Sequence, residues 1–148
     1  MRNYKNVLKN MVNKNKYNVV NLGNGNVRLR YRKNKTGVTV VNVNPANNEP
    51  NTMYIGHGRT RNNFRRKGIG TQMRALVTLA AKLAGYKRMR QYSTNLNKKN
   101  KTSPSASSRI MNRLGFIREN PFGRTNQPIG YVFHFNWMNN TRLKNASI

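Results

Sequence analysis

Hydrophobic residues near the start of the chain recur at helical spacing, with polar and basic residues between them. The apolar positions of this pattern are Tyr4, Val7, Leu8, Met11 and Val12. A repeat of three and four residues predicts an amphipathic helix. We therefore expect a short basic helix within residues 1–16 that packs on the core of the domain, with contact to a membrane or a partner as the alternative.

From residue 17 the pattern changes to one that is typical of strands. Residues 17–22 and 27–33 form two runs rich in β-branched and aromatic residues, and the Gly-Asn-Gly-Asn sequence at 23–26 predicts a tight hairpin between them. Two further runs cover residues 36–43 and 53–60. Four successive strands in this order predict an antiparallel half-sheet.

The second half of the chain alternates between helical and strand patterns. Residues 69–84 place their hydrophobic positions on one helical face, and Gly85 follows as a stop signal. The remaining predicted elements are a strand at 89–94, a helix at 103–114 and a strand at 129–137. Residues 138–148 are polar and are interpreted as a tail. The absence of a repeat or linker predicts a single domain over residues 1–148.

The charge of the chain is extremely one-sided. Its 29 Lys and Arg residues face only two acids, Glu49 and Glu119, which gives a net charge of +27. A domain with this imbalance repels itself, so we expect nucleic acid or another polyanion as its partner, within a larger assembly. The basic clusters cover residues 28–35, 59–67 and 82–101, interleaved with aromatic residues at Tyr31, Phe64, Tyr86 and Tyr92.

The same composition narrows the cellular context. No run of about 18 apolar residues occurs, so no membrane span is predicted. Residues 1–16 lack the apolar core of a signal peptide, so the protein is expected inside the cell or packaged in a virion, and not secreted by that route. The absence of cysteine excludes a thiol nucleophile, a disulfide or a Cys-based zinc site.

The sharpest local motif is Arg-Arg-Lys-Gly-Ile-Gly-Thr at residues 65–71, between a predicted strand and a predicted helix. Gly68 and Gly70 allow the backbone to approach a ligand closely. The free N–H groups of a helix start favour an anion, and a diphosphate flanked by three basic side chains suits such a site.

This segment resembles the pyrophosphate motif of the GNAT superfamily of N-acetyltransferases. Arg65, Gly68 and Gly70 stand at the fixed positions of that motif, after the aromatic Phe64. Residues 107–116 resemble the closing helix of the family, which ends in Leu-Gly-Phe, so the similarity covers about residues 53–116. It implies an α+β fold with a mixed, mostly antiparallel sheet flanked by helices. Here the helices that usually separate the first two strands are reduced to a hairpin.

The resemblance also implies a cofactor and a site. The fourth and fifth strands would run parallel and splay apart to admit the pantetheine arm of acetyl-CoA, and a backbone N–H at about residues 60–62 would polarise the acyl carbonyl. An amine would attack that carbonyl directly. The implied cofactor-binding residues are Thr60, Arg61, Asn62, Arg65, Arg66, Lys67, Gly68, Ile69, Gly70, Thr71 and Asn95.

The catalytic groups depart from the family pattern. Met111 stands five residues before Phe116, where family members commonly have the Tyr that reprotonates the thiolate. Tyr92 is therefore a candidate acid, with Tyr131 and Ser107 as alternatives. His57 is a candidate base, although both His57 and Tyr92 also suit structural roles in their strands.

Three functions remain open at this point. The chain is predicted to be an acyl-CoA-dependent N-acetyltransferase. The alternative is a catalytically inactive GNAT-fold protein of a virion or nucleoprotein particle, whose charge contacts nucleic acid. A simple nucleic-acid-binding module without CoA is the third, and it leaves the two family segments unexplained.

Overall fold

The computed structural model describes residues 2–32, 40–59, 68–93, 106–119 and 129–148. Four helices lie in these ranges: α1 (Tyr4–Met11), α2 (Ile69–Ala84), α3 (Ala106–Arg113) and α4 (Thr141–Ala146). The same ranges contain seven strands: β1 (Tyr17–Gly23), β2 (Asn26–Tyr31), β3 (Val40–Pro45), β4 (Thr52–Arg59), β5 (Arg88–Ser93), β6 (Ile117–Glu119) and β7 (Ile129–His134).

The strands form one sheet in the order β1-β2-β3-β4-β5-β7-β6. Only the β4–β5 pair is parallel, and the other five pairs are antiparallel. This confirms the mixed, mostly antiparallel sheet. The β1–β2 hairpin is also confirmed, because Asn24 and Gly25 have φ angles of 54° and 80°, the positive values that a tight type I′ hairpin turn requires at both central residues.

Helix α2 is central to the hydrophobic core. It is buried against the sheet, and α1 and α4 pack on it as well. The hydroxyl of Tyr4 in α1 donates to the carbonyl oxygen of Val77 at 2.7 Å, and the side-chain amide of Gln72 donates to the carbonyl of Ser147, just beyond α4, at 3.4 Å. This explains why Gln72 is buried although it lies outside the predicted apolar face, as Thr71, Arg74 and Thr78 also do. The predicted packing of α1 on the core is confirmed.

The buried phenol of Tyr4 predicts a loss of stability at alkaline pH. Burial, and then the neighbouring Tyr86, raise the pKa of Tyr4 well above its usual range. An unfolded tyrosine releases its proton above pH ~10, so this residue lowers the free energy of unfolding by about 1.4 kcal/mol for each further pH unit.

The test is the substitution Tyr4→Phe. At pH 8 the free energy of unfolding of the variant should be about 1 kcal/mol lower than that of the wild type, because the hydrogen bond is lost. Between pH 10 and 11 the free energy of unfolding should fall less steeply in the variant than in the wild type. Urea unfolding at each pH gives the slopes. Equal slopes in the two proteins would contradict this account.

Two elements were not predicted from the sequence. The interpretation of residues 138–148 as a polar tail misses α4, whose Leu143 is fully buried. Strand β6 is three residues long and partly exposed, so it shows no hydrophobic pattern. In addition, the last strand ends at His134 and not at residue 137. None of the described helices is long and apolar enough to cross a membrane.

Candidate functional site

The parallel strands β4 and β5 separate at their carboxyl ends. Their pairing runs from Thr52 with Arg88 to Ile55 with Gln91. Beyond this point β4 continues to Arg59 alongside β3, whereas the last residues of β5 pair only with β7 among the described strands. The pairing of the two strands therefore ends before either strand does, which leaves an unpaired stretch, the gap, where the family resemblance implies that the strands splay apart.

A β-bulge lies where this gap begins. Asn42 of β3 pairs with His57 and Val43 pairs with Ile55, so Gly56 is the extra residue of β4. A Cβ on Gly56 would lie 3.2 Å from the side-chain oxygen of Asn44. Since a bulge bends its strand, it turns β4 away as its pairing with β5 ends.

The start of α2 lies at the same edge of the sheet as the gap. Because α2 connects two parallel strands, it runs back against them and begins where β4 ends. Gly68 is the N-cap in a left-handed conformation, with φ at 77°, and no side chain of the described residues caps the helix. The backbone N–H groups of the first turn, over Ile69, Gly70 and Thr71, are therefore available to an anion.

A buried arginine lies one turn into α2. Arg74 is only 5% exposed. Its Nη1 donates to the carbonyl of Gly70 at 3.5 Å and its Nε donates to Oε1 of Gln91 at 3.4 Å. The amide of Gln91 in turn donates to the hydroxyl of Ser107 in α3. Arg74 thus joins the start of α2, the end of β5 and the start of α3.

Arg74 has no carboxylate partner among the described residues. The two acids of the chain, Glu49 and Glu119, form ion pairs with Arg88 and Arg90 instead. Burial lowers the pKa of Arg74 to about 10, so the guanidinium remains charged at neutral pH. An uncompensated cation beside a helix N-terminus favours an anionic ligand. Sequence reasoning missed this residue, because Arg74 lies outside the apolar face of α2 and an arginine there indicates an exposed side chain.

Arg74 therefore yields a prediction with opposite effects on folding and on ligand binding. Arg74→Met keeps an unbranched, flexible side chain and removes a buried charge without a described carboxylate partner, so the free energy of unfolding should rise by about 1–3 kcal/mol. The affinity for an anion at α2 should fall at the same time. Urea unfolding and calorimetric titration of acetyl-CoA measure the two effects.

The matched control is Lys82→Met at the exposed end of α2. It removes the same charge from the surface and should change stability by less than about 0.5 kcal/mol. If Arg74→Met destabilises the protein, Arg74 is a structural residue, and if the acetyl-CoA affinity is unchanged, its proposed role in ligand binding is wrong.

The structure brings only some of the predicted site residues together. Gly68, Ile69, Gly70 and Thr71 lie side by side at the start of α2. The other predicted cofactor residues, 60–62, 65–67 and Asn95, lie outside the described residues, and their roles stay predictions.

The candidate catalytic residues lie near the gap. The backbone of His57 lies in β4, just after the bulge. Tyr92 lies near the carboxyl end of β5, 48% exposed, with its ring centroid 5.7 Å from that of Tyr54. Met111 is fully buried in the core, and a thioether has no proton to donate. Neither candidate is tested by this placement, and both stay predictions.

Comparison with solved structures identifies the fold. The sequence itself matches no protein-family profile and none of the curated proteins. In structure it is similar to a chain described as a GNAT-family acetyltransferase from Desulfovibrio desulfuricans, with a TM-score of 0.61 and 17% identity over 74% of this chain and 69% of that one.

Two further neighbours agree. A GNAT-family acetyltransferase from Elizabethkingia anophelis, solved with acetyl-CoA bound, has a TM-score of 0.56 and 16% identity over 74% of this chain and 76% of that one. The ribosomal-protein-S18-alanine N-acetyltransferase from Escherichia coli has a TM-score of 0.54 and 10% identity over 74% of this chain and 68% of that one. Identities this low are evidence of fold alone, and they confirm the resemblance seen in the sequence. The chain has the fold of the GNAT acetyltransferases.

Proposed function

We propose that the protein binds acetyl-CoA between β4 and β5 and transfers the acetyl group to an amine. The observation that supports this is the coincidence, at one edge of the sheet, of the gap between the parallel strands and the uncapped start of α2. The solved neighbour with acetyl-CoA bound is consistent with it. The gap suits a slender pantetheine arm, and the start of α2 suits its pyrophosphate.

The residues of the site divide into binding and proton-transfer groups. Backbone N–H groups from Arg66 to Thr71 would hold the pyrophosphate, with charge supplied by Arg65, Lys67 and the buried Arg74. The attacking amine must lose a proton, and His57 is the candidate base. As the new C–N bond forms and the C–S bond breaks, the departing thiolate needs a proton, for which the hydroxyl of Tyr92 is the candidate donor.

The burial of Met111 favours a second candidate function. With no proton donor at the usual position, the chain would bind acetyl-CoA or another phosphate without turnover. It would then serve as a structural protein of a virion or nucleoprotein particle. The net charge of +27 supports this alternative, because it suits packaged nucleic acid.

Calorimetric titration of acetyl-CoA into nucleic-acid-free protein at moderate salt tests the proposal. The matched ligand is S-acetylpantetheine, which has the same thioester and arm but lacks the pyrophosphate. Saturable binding of acetyl-CoA, at least tenfold tighter than that of S-acetylpantetheine, is expected if α2 holds the pyrophosphate. Absence of saturable binding would overturn the proposal.

Turnover is measured separately as release of free CoA thiol with a panel of amine and peptide acceptors. Thiol release that depends on the acceptor supports acetyl transfer. Tight binding without release in any acceptor would favour the non-catalytic alternative.

A further inference from the structure

One face of the sheet has no described helix packed on it. The four helices all contribute residues to a single core on the other face, among them Leu8, Val77, Met111 and Leu143. The strand register places a different set of side chains on the uncovered side. Besides the buried Val40, Thr52 and Val132, this set includes ten residues that we call the arginine face: Asn18, Arg28, Arg30, Arg32, Asn42, Tyr54, Arg88, Arg90, Tyr92 and His134.

The charges of the arginine face are compensated at one end only. Glu49 lies 3.1 Å from Arg88 and 2.8 Å from Arg90, and Glu119 also pairs with Arg90. These are the only acidic side chains of the protein. The arginines of β2 and its end, Arg28, Arg30 and Arg32, therefore have no described carboxylate partner.

Geometry keeps these three arginines available to a ligand. Arg28 donates through Nε to Asn42 at 2.8 Å, and Arg32 donates through Nε to the carbonyl of Tyr17 at 3.1 Å. The buried Nε of Arg30 has no hydrogen-bond partner in the part of the chain that the structure describes. Asn18, Arg30 and Arg32 line a shallow hollow in the sheet surface. Three guanidinium groups in a row, two of them held by hydrogen bonds, suit successive phosphates.

The opposite end of the arginine face offers an aromatic surface. Trp137, the only tryptophan of the chain, is 64% exposed and stacks on His134, with ring centroids 5.2 Å apart and planes at 20°. Burial, and then Arg88 and Arg90, lower the pKa of His134, so the imidazole is neutral at pH 7. The indole ring of Trp137 stacks on His134 with one face and leaves the other face open, so a nucleobase can stack there.

We propose that the arginine face binds single-stranded nucleic acid, with phosphates on Arg28, Arg30 and Arg32 and a base stacked on Trp137. Strands β2 and β7 are four positions apart in the sheet, a distance of about 19 Å, which several nucleotides can cross. Stacking requires exposed base faces, which a duplex does not offer, so a single strand is the occupant. This proposal does not rest on acetyl transfer, although a strand that crosses the arginine face would pass over Tyr92, the candidate acid.

Fluorescence anisotropy with a labelled 12-mer of deoxythymidine, measured over a range of salt concentrations, tests the phosphate contacts. The triple variant Arg28→Gln/Arg30→Gln/Arg32→Gln should bind at least tenfold more weakly. Its slope of log affinity against log salt should be smaller by about 2 in magnitude, since each lost contact to a single strand removes about 0.7.

The matched control is Lys9→Gln/Lys14→Gln/Lys82→Gln, which removes the same charge from exposed positions on α1, after α1 and on α2. It should leave the salt slope within about 0.5 of the wild type. An equal loss of slope in both variants would show that binding follows net charge alone, and the proposed site would be wrong.

Trp137 serves as a built-in reporter of base stacking. Its fluorescence should be quenched by the 12-mer of deoxythymidine and by the matching 12-mer of uridine, but not by inorganic polyphosphate or by vesicles that contain phosphatidylserine.

Trp137→Ala should weaken oligonucleotide binding about fivefold or more without changing the salt slope, and Trp137→Phe should restore part of the loss. Quenching by vesicles, or oligonucleotide binding that leaves Trp137 fluorescence unchanged, would overturn the proposal. Equal affinity for both 12-mers shows tolerance of either sugar, and a tighter uridine 12-mer identifies RNA as the occupant.

Discussion

Gly70→Glu is expected to abolish saturable acetyl-CoA binding, a loss of at least about a hundredfold in affinity. Gly70 lies in the first turn of α2 and is buried. A glutamate there would place a carboxylate where the helix start favours a phosphate. Its side chain would also occupy the space that lets a ligand approach the backbone closely at a glycine. Calorimetric titration at moderate salt measures the loss.

Two further variants separate binding from folding. Leu83→Glu adds the same charge at an exposed position near the other end of α2 and should leave acetyl-CoA affinity unchanged. Gly70→Ala should stabilise the folded protein by up to about 1 kcal/mol, since alanine favours a helix more than glycine does, while it weakens acetyl-CoA binding. If Gly70→Ala binds as tightly as the wild type, the backbone at residue 70 does not contact the ligand.

Leu143→Ala is expected to lower the free energy of unfolding by about 2–5 kcal/mol. Helix α4 has only six residues, so it is too short to be stable alone. Leu143 is fully buried against the core, and the hydrogen bond from Gln72 to the carbonyl of Ser147 holds the end of the same segment. Removing the anchor should release α4 from α2. Urea unfolding measures the change.

The control is Ile148→Ala, another aliphatic truncation in the same segment. Ile148 is 94% exposed, so its truncation should change stability by less than about 0.5 kcal/mol. A small effect of Leu143→Ala would mean that α4 contributes little to the folded state.

The contrast between α4 and the β1–β2 hairpin shows which elements a sequence can predict. Asn24 and Gly25 encode the hairpin locally, since the turn itself demands their positive φ angles. Helix α4 has one buried hydrophobic residue in six, and its stability comes from a surface on α2 that is distant in sequence. A local pattern cannot show such a partner.

The site shows the same limit. The start of α2 was predictable because Gly68 and Gly70 precede an apolar repeat of four turns. The bulge at Gly56 was not, because it appears only in the pairing of β4 with β3, although a glycine inside a strand is its usual signal. Arg74 was missed because its environment is built by β5 and α3, far from α2 in sequence.

The gap between β4 and β5 also has a consequence for the order of folding. Strands β1 to β4 are neighbours in both sequence and space, so they can associate through short loops. Thr52 pairs with Arg88, 36 positions further along the chain, and this closure has a larger entropic cost. The β4–β5 contact should therefore form after the amino-terminal meander. The proposed ligand would then lie across the strand pair that forms last, and its binding would favour the completed fold over partly folded forms.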